Sequence, residues 1–166
     1  MHEQSRTAHG LMMGSPIGVL WIGSDGRSIT RLAFDTAEGL PSSPTPLLRE
    51  AERQLHAYFI GHLRSFDLPL AGDGTDFQRS VWRAVAAIPC GTTLSYQALA
   101  ERIGAGTAAR AVGAANVANP LPILVPCHRV VGRSGALTGY VGGLERKHWL
   151  LRHEGAIAPG LFDGPH

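Results

Sequence analysis

Cys127 and His128 stand side by side in residues 120–131, which read PLPILVPCHRVV. A cysteine thiolate is a strong nucleophile, and a nearby imidazole or positive charge raises the small thiolate fraction present at neutral pH. Ile123-Leu124-Val125 has the composition of a buried strand, and Pro126 would end its hydrogen bonding and keep Val125 extended. On that reading the thiol sits where a strand runs out, and neighbouring side chains on an extended backbone point apart. The imidazole then acts on the sulfur through a water rather than by direct contact. Taken alone, the pair fits two readings: an activated thiol, or a small buried cysteine beside a core histidine. The other cysteine, Cys90, is distant in sequence and forms no C-x-x-C spacing, which argues against a disulfide scaffold and a structural zinc site.

The elements that must position these residues fall into two groups. The chain has 166 residues, 44% of them hydrophobic and 17% charged, enough for one domain or two small ones with a filled core. Residues 17–23 and 28–34 are strand-like runs around a Ser24-Asp25-Gly26-Arg27 hairpin signal. Thr45 and Pro46 start a helix to about Ile60, with Leu48, Ala51, Leu55, Tyr58 and Phe59 on one face and Gly61 as its stop. Residues 64–70 read as a further short strand and 71–74 as a linker.

From there the pattern is helical. Thr75 or Asp76 begins a helix through Phe77, Val81, Trp82, Val85 and Ile88; 95–103 form a second, and Thr107 caps a third from Ala108 to about Ala118, ended at Asn119-Pro120. The turn Gly104-Ala105-Gly106 between the last two gives helix-turn-helix spacing. The expected fold class is therefore α+β: a small N-terminal sheet-plus-helix unit, 1–74, and a mostly helical C-terminal domain, 75–166, with a winged-helix-like helix-turn-helix. No apolar run approaches the roughly 20 residues of a membrane helix. The polar start MHEQSRTAHG does not resemble a signal peptide, so a soluble, cytoplasmic protein is expected.

The formal charge of +2 is unevenly distributed: residues 1–75 carry a net −2, whereas 76–154 carry nine basic against four acidic residues. A basic C-terminal half points to an anionic partner, nucleic acid first. In the third helix Arg110 is the only charged side chain among Ala108, Ala109, Ala111, Gly113, Ala114 and Ala115. Small residues let a helix approach another surface closely, either inside the domain or in a nucleic-acid groove.

Four blocks in order carry a resemblance. These are Ile88-Pro89-Cys90-Gly91 with Ser95-Tyr96; Ala108-Ala109-Arg110-Ala111-Val112-Gly113; Asn119-Pro120 through Pro126-Cys127-His128-Arg129-Val130 to Thr138-Gly139-Tyr140-Val141-Gly142-Gly143; and Lys147-His148-Trp149-Leu150-Leu151 with Glu154-Gly155. Over residues 76–155 the chain resembles the 6-O-alkylguanine-DNA alkyltransferases, with a weaker echo at Ser15-Pro16-Ile17-Gly18. The resemblance implies direct reversal of DNA damage: the alkyl group of 6-O-alkylguanine passes to Cys127, once per molecule, with 4-O-alkylthymine as a second candidate lesion.

The same resemblance implies roles. His128 activates the thiol through a water, Glu154 orients His128, Asn119 is a hinge near the thiol, and Tyr96 donates towards guanine N3. Val130, Tyr140, Val141 and Gly142 wall the base pocket. DNA contacts fall to Arg110, which fills the space of the flipped nucleotide, and to Tyr96, Ala108, Ala109, Ala111, Gly113 and Gln78, with docking in the minor groove of double-stranded DNA. Val141 stands where some members have a hydroxyl residue, and Cys90, where relatives are usually aromatic, is read as structural. No cofactor, metal or membrane is implied; the N-terminal unit is read as mainly structural support, with protein contacts between neighbours on DNA.

Two other functions compete. A non-catalytic lesion-binding or helix-turn-helix regulatory protein would keep Arg110 but need no thiol. A Cys-His hydrolase would need direct His–sulfur contact and an oxyanion site, which adjacent Cys-His geometry makes awkward.

Overall fold

The computed structural model describes residues 7–35 and 39–157; residues 1–6, with most of the polar start, and 158–166, with the end of the chain, lie outside the described residues. The chain divides into two compact units, Met1–Asp73 and Gly74–His166.

The first unit is built on an antiparallel sheet in the order β1 (His9–Met13), β2 (Leu20–Ser24), β3 (Ile29–Phe34). The β2–β3 hairpin follows from its turn residues. Asp25 Oδ1 accepts from the Arg27 and Ser28 amides, and Gly26 takes a φ of 98° that a side chain would resist. Strand β1 was not expected from its polar surroundings, although Leu11 and Met13 alternate inward around exposed Met12. Every residue of central β2 is buried. Trp21 lies against Gly10 and Gly23, where a Cβ would come within 2.7 Å of its ring, and its indole donates to Pro41 O.

Helix α1 (Pro46–Phe59) starts as its sequence dictates: Thr45 Oγ1 accepts from Leu48 N, and Pro46 opens the first turn. Its buried face also contains Gln54, whose amide bonds both backbone groups of Asp67. The expected strand over 64–70 does not form. Asp67 gives its N–H and carbonyl to Gln54, Pro69 has no N–H, and only Leu70 makes an isolated parallel bridge, to Ile29.

The second unit begins with α2 (Asp76–Ala86), closed by a capping box in which Thr75 and Gln78 exchange side-chain–backbone hydrogen bonds. Strand β4 (Leu94–Ser95) leads into α3 (Tyr96–Arg102), capped by Ser95. Gln97 then donates to Gly106 O and pins the turn before α4 (Ala109–Val117). Thr107 does not cap α4: the N-cap is Ala108, without a side-chain hydrogen bond. The indole of buried Trp82 donates to Ala115 O, fastening α2 to α4.

The largest departure from expectation lies before Cys127. Residues 123–125 are buried, but they form a turn rather than a strand. Ile123 has a φ of 74°, Val125 N donates back to Leu121 O, and Pro122 bridges to Val125. Pro120, Pro122 and Pro126 remove alternate donors that a strand would need, and Asn119 replaces a ladder by binding Leu121 N and Val125 O. Residues Cys127–Arg129 are a 3-10 turn, followed by β5 (Val130–Val131), which pairs in parallel with β4. Helix α5 (Leu144–His153) closes the described chain, with Lys147, Leu150 and Leu151 buried.

Candidate active site

Cys127 is 1% exposed, on a 3-10 turn rather than at the end of a strand. Successive side chains on such a turn are still about a third of a revolution apart, so His128 leaves in another direction from the sulfur, as the extended backbone had implied for a different reason. Burial pushes the thiol up from an ordinary 9.0 to about 11, against the opposing Asn119 hydrogen bond and the Lys147 charge. At neutral pH only about one molecule in ten thousand would then carry a free thiolate.

The shifted thiol makes a stability prediction. A group whose folded value lies above its unfolded one stabilises the fold below the unfolded value and loses that contribution as pH rises through the folded value. The window is 9 to about 11. By pH ~10.5 the Cys127 contribution should have fallen by about 2 kcal/mol. Urea unfolding at pH ~8 and ~10.5 should therefore show a steeper loss for the native protein than for Cys127→Ala; equal losses would contradict the buried-thiol geometry.

His128 is completely buried. Burial pulls its imidazole below the ordinary value, in opposition to Glu154, and leaves it neutral at pH 7. Its Nε2 lies 2.7 Å from Glu154 Oε2. Burial alone would raise Glu154, but hydrogen bonds from His128 and Arg129 hold it well below the usual carboxylate range. An ionised carboxylate only accepts, so Nε2 carries the imidazole proton and Nδ1 carries the lone pair. That Nδ1 is buried and has no hydrogen-bond partner among the described residues.

Glu154 sits at the C-cap of α5, where the helix dipole disfavours a negative charge. Arg129 supplies the compensation. Its Nε and Nη2 grip the two carboxylate oxygens at 2.8 and 3.0 Å, and its Nη1 donates to Ile88 O at 2.6 Å. Sequence reasoning gave Arg129 no role, although an arginine within the mostly apolar stretch LPILVPCHRVV is a signal that a buried carboxylate must be near.

Asn119 is buried, and its side chain reaches the backbone around the cysteine and the thiol itself. Tyr140 stands edge-on to His128, with ring centroids 6.3 Å apart, and Val130 is buried in β5. Tyr96 lies at the start of α3. Its hydroxyl donates to Thr138 O at 3.1 Å, and the same carbonyl accepts from Lys147 Nζ at 2.6 Å. Lys147 was also missed: it is fully buried, bonds Gly139 O as well, and lies 5.9 Å from the Tyr96 ring centroid. Burial lowers its ammonium to about 8, partly offset by Cys127. Val141 and Gly142 stand on the exposed loop before α5, where Gly142 O accepts from Arg146.

The remaining predicted residues lie on or beside the helix-turn-helix. Arg110 and Ala111 are exposed, whereas Ala108, Ala109 and Gly113 are half-buried. A Cβ at Gly113 would touch the Tyr96 ring at ordinary contact distance. Gln78 is half-buried, with its Oε1 bonded to Thr75 N in the capping box. Among the described residues no group of three or more His, Cys, Asp or Glu could hold a metal ion, and no helix is long and apolar enough to cross a membrane.

Comparison with known proteins places the chain in a family. Residues 76–156 match the family "6-O-methylguanine DNA methyltransferase, DNA binding domain", and residues 9–71 match its ribonuclease-like domain. The chain is 48% identical to a methylated-DNA--protein-cysteine methyltransferase of Mycobacterium tuberculosis (strain ATCC 25618 / H37Rv), over 93% of this chain and 99% of that one. A protein of the same name from Methanosarcina acetivorans is 46% identical over 86% and 95% of the two chains. The match to the Shigella flexneri protein, 58% identical, covers 63% of this chain and 61% of the relative. Among solved structures, the crystal structure of M. tuberculosis OGT in complex with DNA superposes with a TM-score of 0.83 at 46% identity, covering 92% and 96%.

Proposed function

This chain belongs to the 6-O-methylguanine DNA methyltransferase family, and on that premise we propose that it repairs DNA by moving the alkyl group of 6-O-alkylguanine onto Cys127 Sγ in a single displacement. The observation that carries the reading is the pairing of a buried thiol with a neutral imidazole whose proton is committed to Glu154 and whose Nδ1 is left with a lone pair. With the thiol pushed up to about 11, spontaneous ionisation is too rare, so a base is required. His128 Nδ1 takes the thiol proton through a bridging water. The sulfur lone pair then attacks the sp³ carbon on guanine O6; the S–C bond forms as the C–O bond breaks, and the electron pair goes to guanine.

Tyr96 supplies a hydrogen bond or proton to guanine N3 as negative charge develops there. For that its hydroxyl must leave Thr138 O. The product is a thioether, which has no leaving group for water to displace, so each molecule reacts once. No tetrahedral intermediate forms and no cofactor takes part.

The basic helix-turn-helix unit docks on double-stranded DNA through the exposed side of α4, in the minor groove. The alkyl carbon cannot meet a buried thiol from inside a duplex, so the base is flipped out and Arg110 occupies its place in the stack. Val130, Tyr140, Val141 and Gly142 wall the flipped base. Residues 75–166 thus act as the DNA-binding and active-site domain. Residues 1–74 serve as structural support and offer contacts to neighbouring molecules on DNA.

Intact mass after incubation with a duplex containing one 6-O-methylguanine tests the reading. The expected result is one added methylene per protein, mapped to Cys127, with no further turnover at excess DNA. Unchanged mass in folded, reduced protein that still binds the duplex would overturn it in favour of a lesion-binding protein.

A further inference from the structure

Helix α4 has two sides with different work. Arg110, Ala111, Ala114, Val117 and Ala118 at its end are exposed, whereas Val112, Ala115 and Asn116 are buried. From its buried side and the residues just beyond, two asparagines reach the chain that carries the nucleophile. Asn119 Nδ2 donates to Val125 O at 2.9 Å, and Asn116 Nδ2 donates to Cys127 O at 3.2 Å. The two carbonyls flank Pro126, whose missing N–H leaves this stretch without a backbone ladder.

Asn119 satisfies its amide completely: its Oδ1 accepts from Leu121 N. Asn116 does not. It is 1% exposed, and its Oδ1 has no hydrogen-bond partner among the described residues. A buried amide that leaves its oxygen unmatched is less favourable than an apolar side chain of the same size. The gain that offsets this is the N–H held on the Cys127 carbonyl, which links the DNA-facing helix directly to the backbone of the reacting residue. Trp82, bonded to Ala115 O one residue earlier, keeps the same turn of α4 from sliding.

We propose that Asn116 is a positioning residue for alkyl transfer: it fastens the Cys127 carbonyl to the inner side of the helix whose outer side carries Arg110, so the seating of that helix on DNA sets the approach of the sulfur to the alkyl carbon. The inference rests on the alkyl-transfer reading above. Asn116 touches neither the alkyl group nor the base; it acts through Cys127.

The test is single-turnover transfer from a 6-O-methylguanine duplex, with limiting rate and half-saturating duplex concentration measured separately. Two variants are compared, Asn116→Leu and Asn116→Ala; the first keeps the approximate size of the side chain, and both remove the N–H donor. Both should lower the limiting rate by about tenfold or more, because small misplacements of a reacting atom have large rate effects. The half-saturating concentration should stay within about threefold of the native protein, since the outer face of α4 is untouched. A thermal unfolding scan identifies any variant that fails to fold, and the folded variant then decides. A folded variant with an unchanged limiting rate overturns the proposal, as does weaker half-saturation at an unchanged limiting rate. Absence of transfer by the native protein would instead defeat the alkyl-transfer reading itself.

Discussion

Cys127→Ala is expected to abolish alkyl transfer completely while leaving binding to a lesion duplex within about threefold of the native protein. The sulfur is the atom that forms the new bond, and its neighbours are otherwise engaged: His128 is committed to Glu154, Tyr140 is held protonated by burial and the Glu154 charge, and Lys147 Nζ is bonded to the Thr138 and Gly139 carbonyls. The exposed side of α4 and Arg110, proposed to meet DNA, do not depend on the thiol. The cost in stability should be small, because alanine leaves only the space of one sulfur, about 1 kcal/mol by analogy with other small core truncations. Gel-shift titration with a 6-O-methylguanine duplex, followed by nucleoside analysis of the recovered DNA, measures both halves. Transfer that persists in this variant, with the alkyl group found on Cys90, would show that the wrong cysteine has been placed at the centre.

Glu154→Gln should have two separable effects. The variant keeps the shape of the side chain but removes the charge that Arg129 grips with two hydrogen bonds. A buried guanidinium left without its carboxylate typically costs about 3–5 kcal/mol. The carboxamide can also donate to His128 Nε2, which would move the imidazole proton to Nδ1 and remove the lone pair that accepts the thiol proton. On that account the limiting rate should fall by about 10²–10⁴, the range for loss of a general base or of its correct tautomer.

Adding Arg129→Met separates the two effects. The double variant should recover part of the stability and none of the rate. The pH dependence is distinct as well. Glu154 is depressed in the folded state, so its contribution is present above the ordinary carboxylate value and is lost as pH falls. The Gln variant should therefore lack part of the acid limb seen in native unfolding. Stability and transfer rate both unchanged in Glu154→Gln would show that the His128–Glu154–Arg129 cluster does not serve the thiol.

Local chemistry made much of the chain legible. Thr45, Thr75 and Ser95 each cap the helix that follows them, because a side-chain oxygen on an extended residue meets an amide two or three positions ahead. Asp25-Gly26 made its turn for an equally local reason. Thr107 did not cap α4, since the Ala105 carbonyl took the Ala108 amide and shifted the helix start by one residue.

The two missing strands share a cause in side-chain hydrogen bonding. Residues 64–70 and 123–125 have strand-like composition, but a strand needs a neighbour with free backbone groups. Gln54, 13 positions away, and Asn119, two and six positions away, instead bind these amides and carbonyls with their side chains. Buried side-chain amides of this kind leave no periodic trace in a sequence.

The sequence by itself determined the capped helices, the division of charge and the small-residue helix around Arg110, while the family resemblance of four ordered motifs singled out Cys127, His128, Asn119, Tyr96 and Glu154 as candidates. Those properties reside in residue type and short spacing. Only the tertiary structure decided which atoms meet. It committed the His128 proton to a carboxylate 26 positions away, balanced that carboxylate with Arg129, put Lys147 and Tyr96 on one carbonyl, and tied Cys127 to α4 through Asn116. The reason is physical: a hydrogen bond acts over about 3 Å of space regardless of sequence separation, and in a buried site most polar groups must find their partners through the fold.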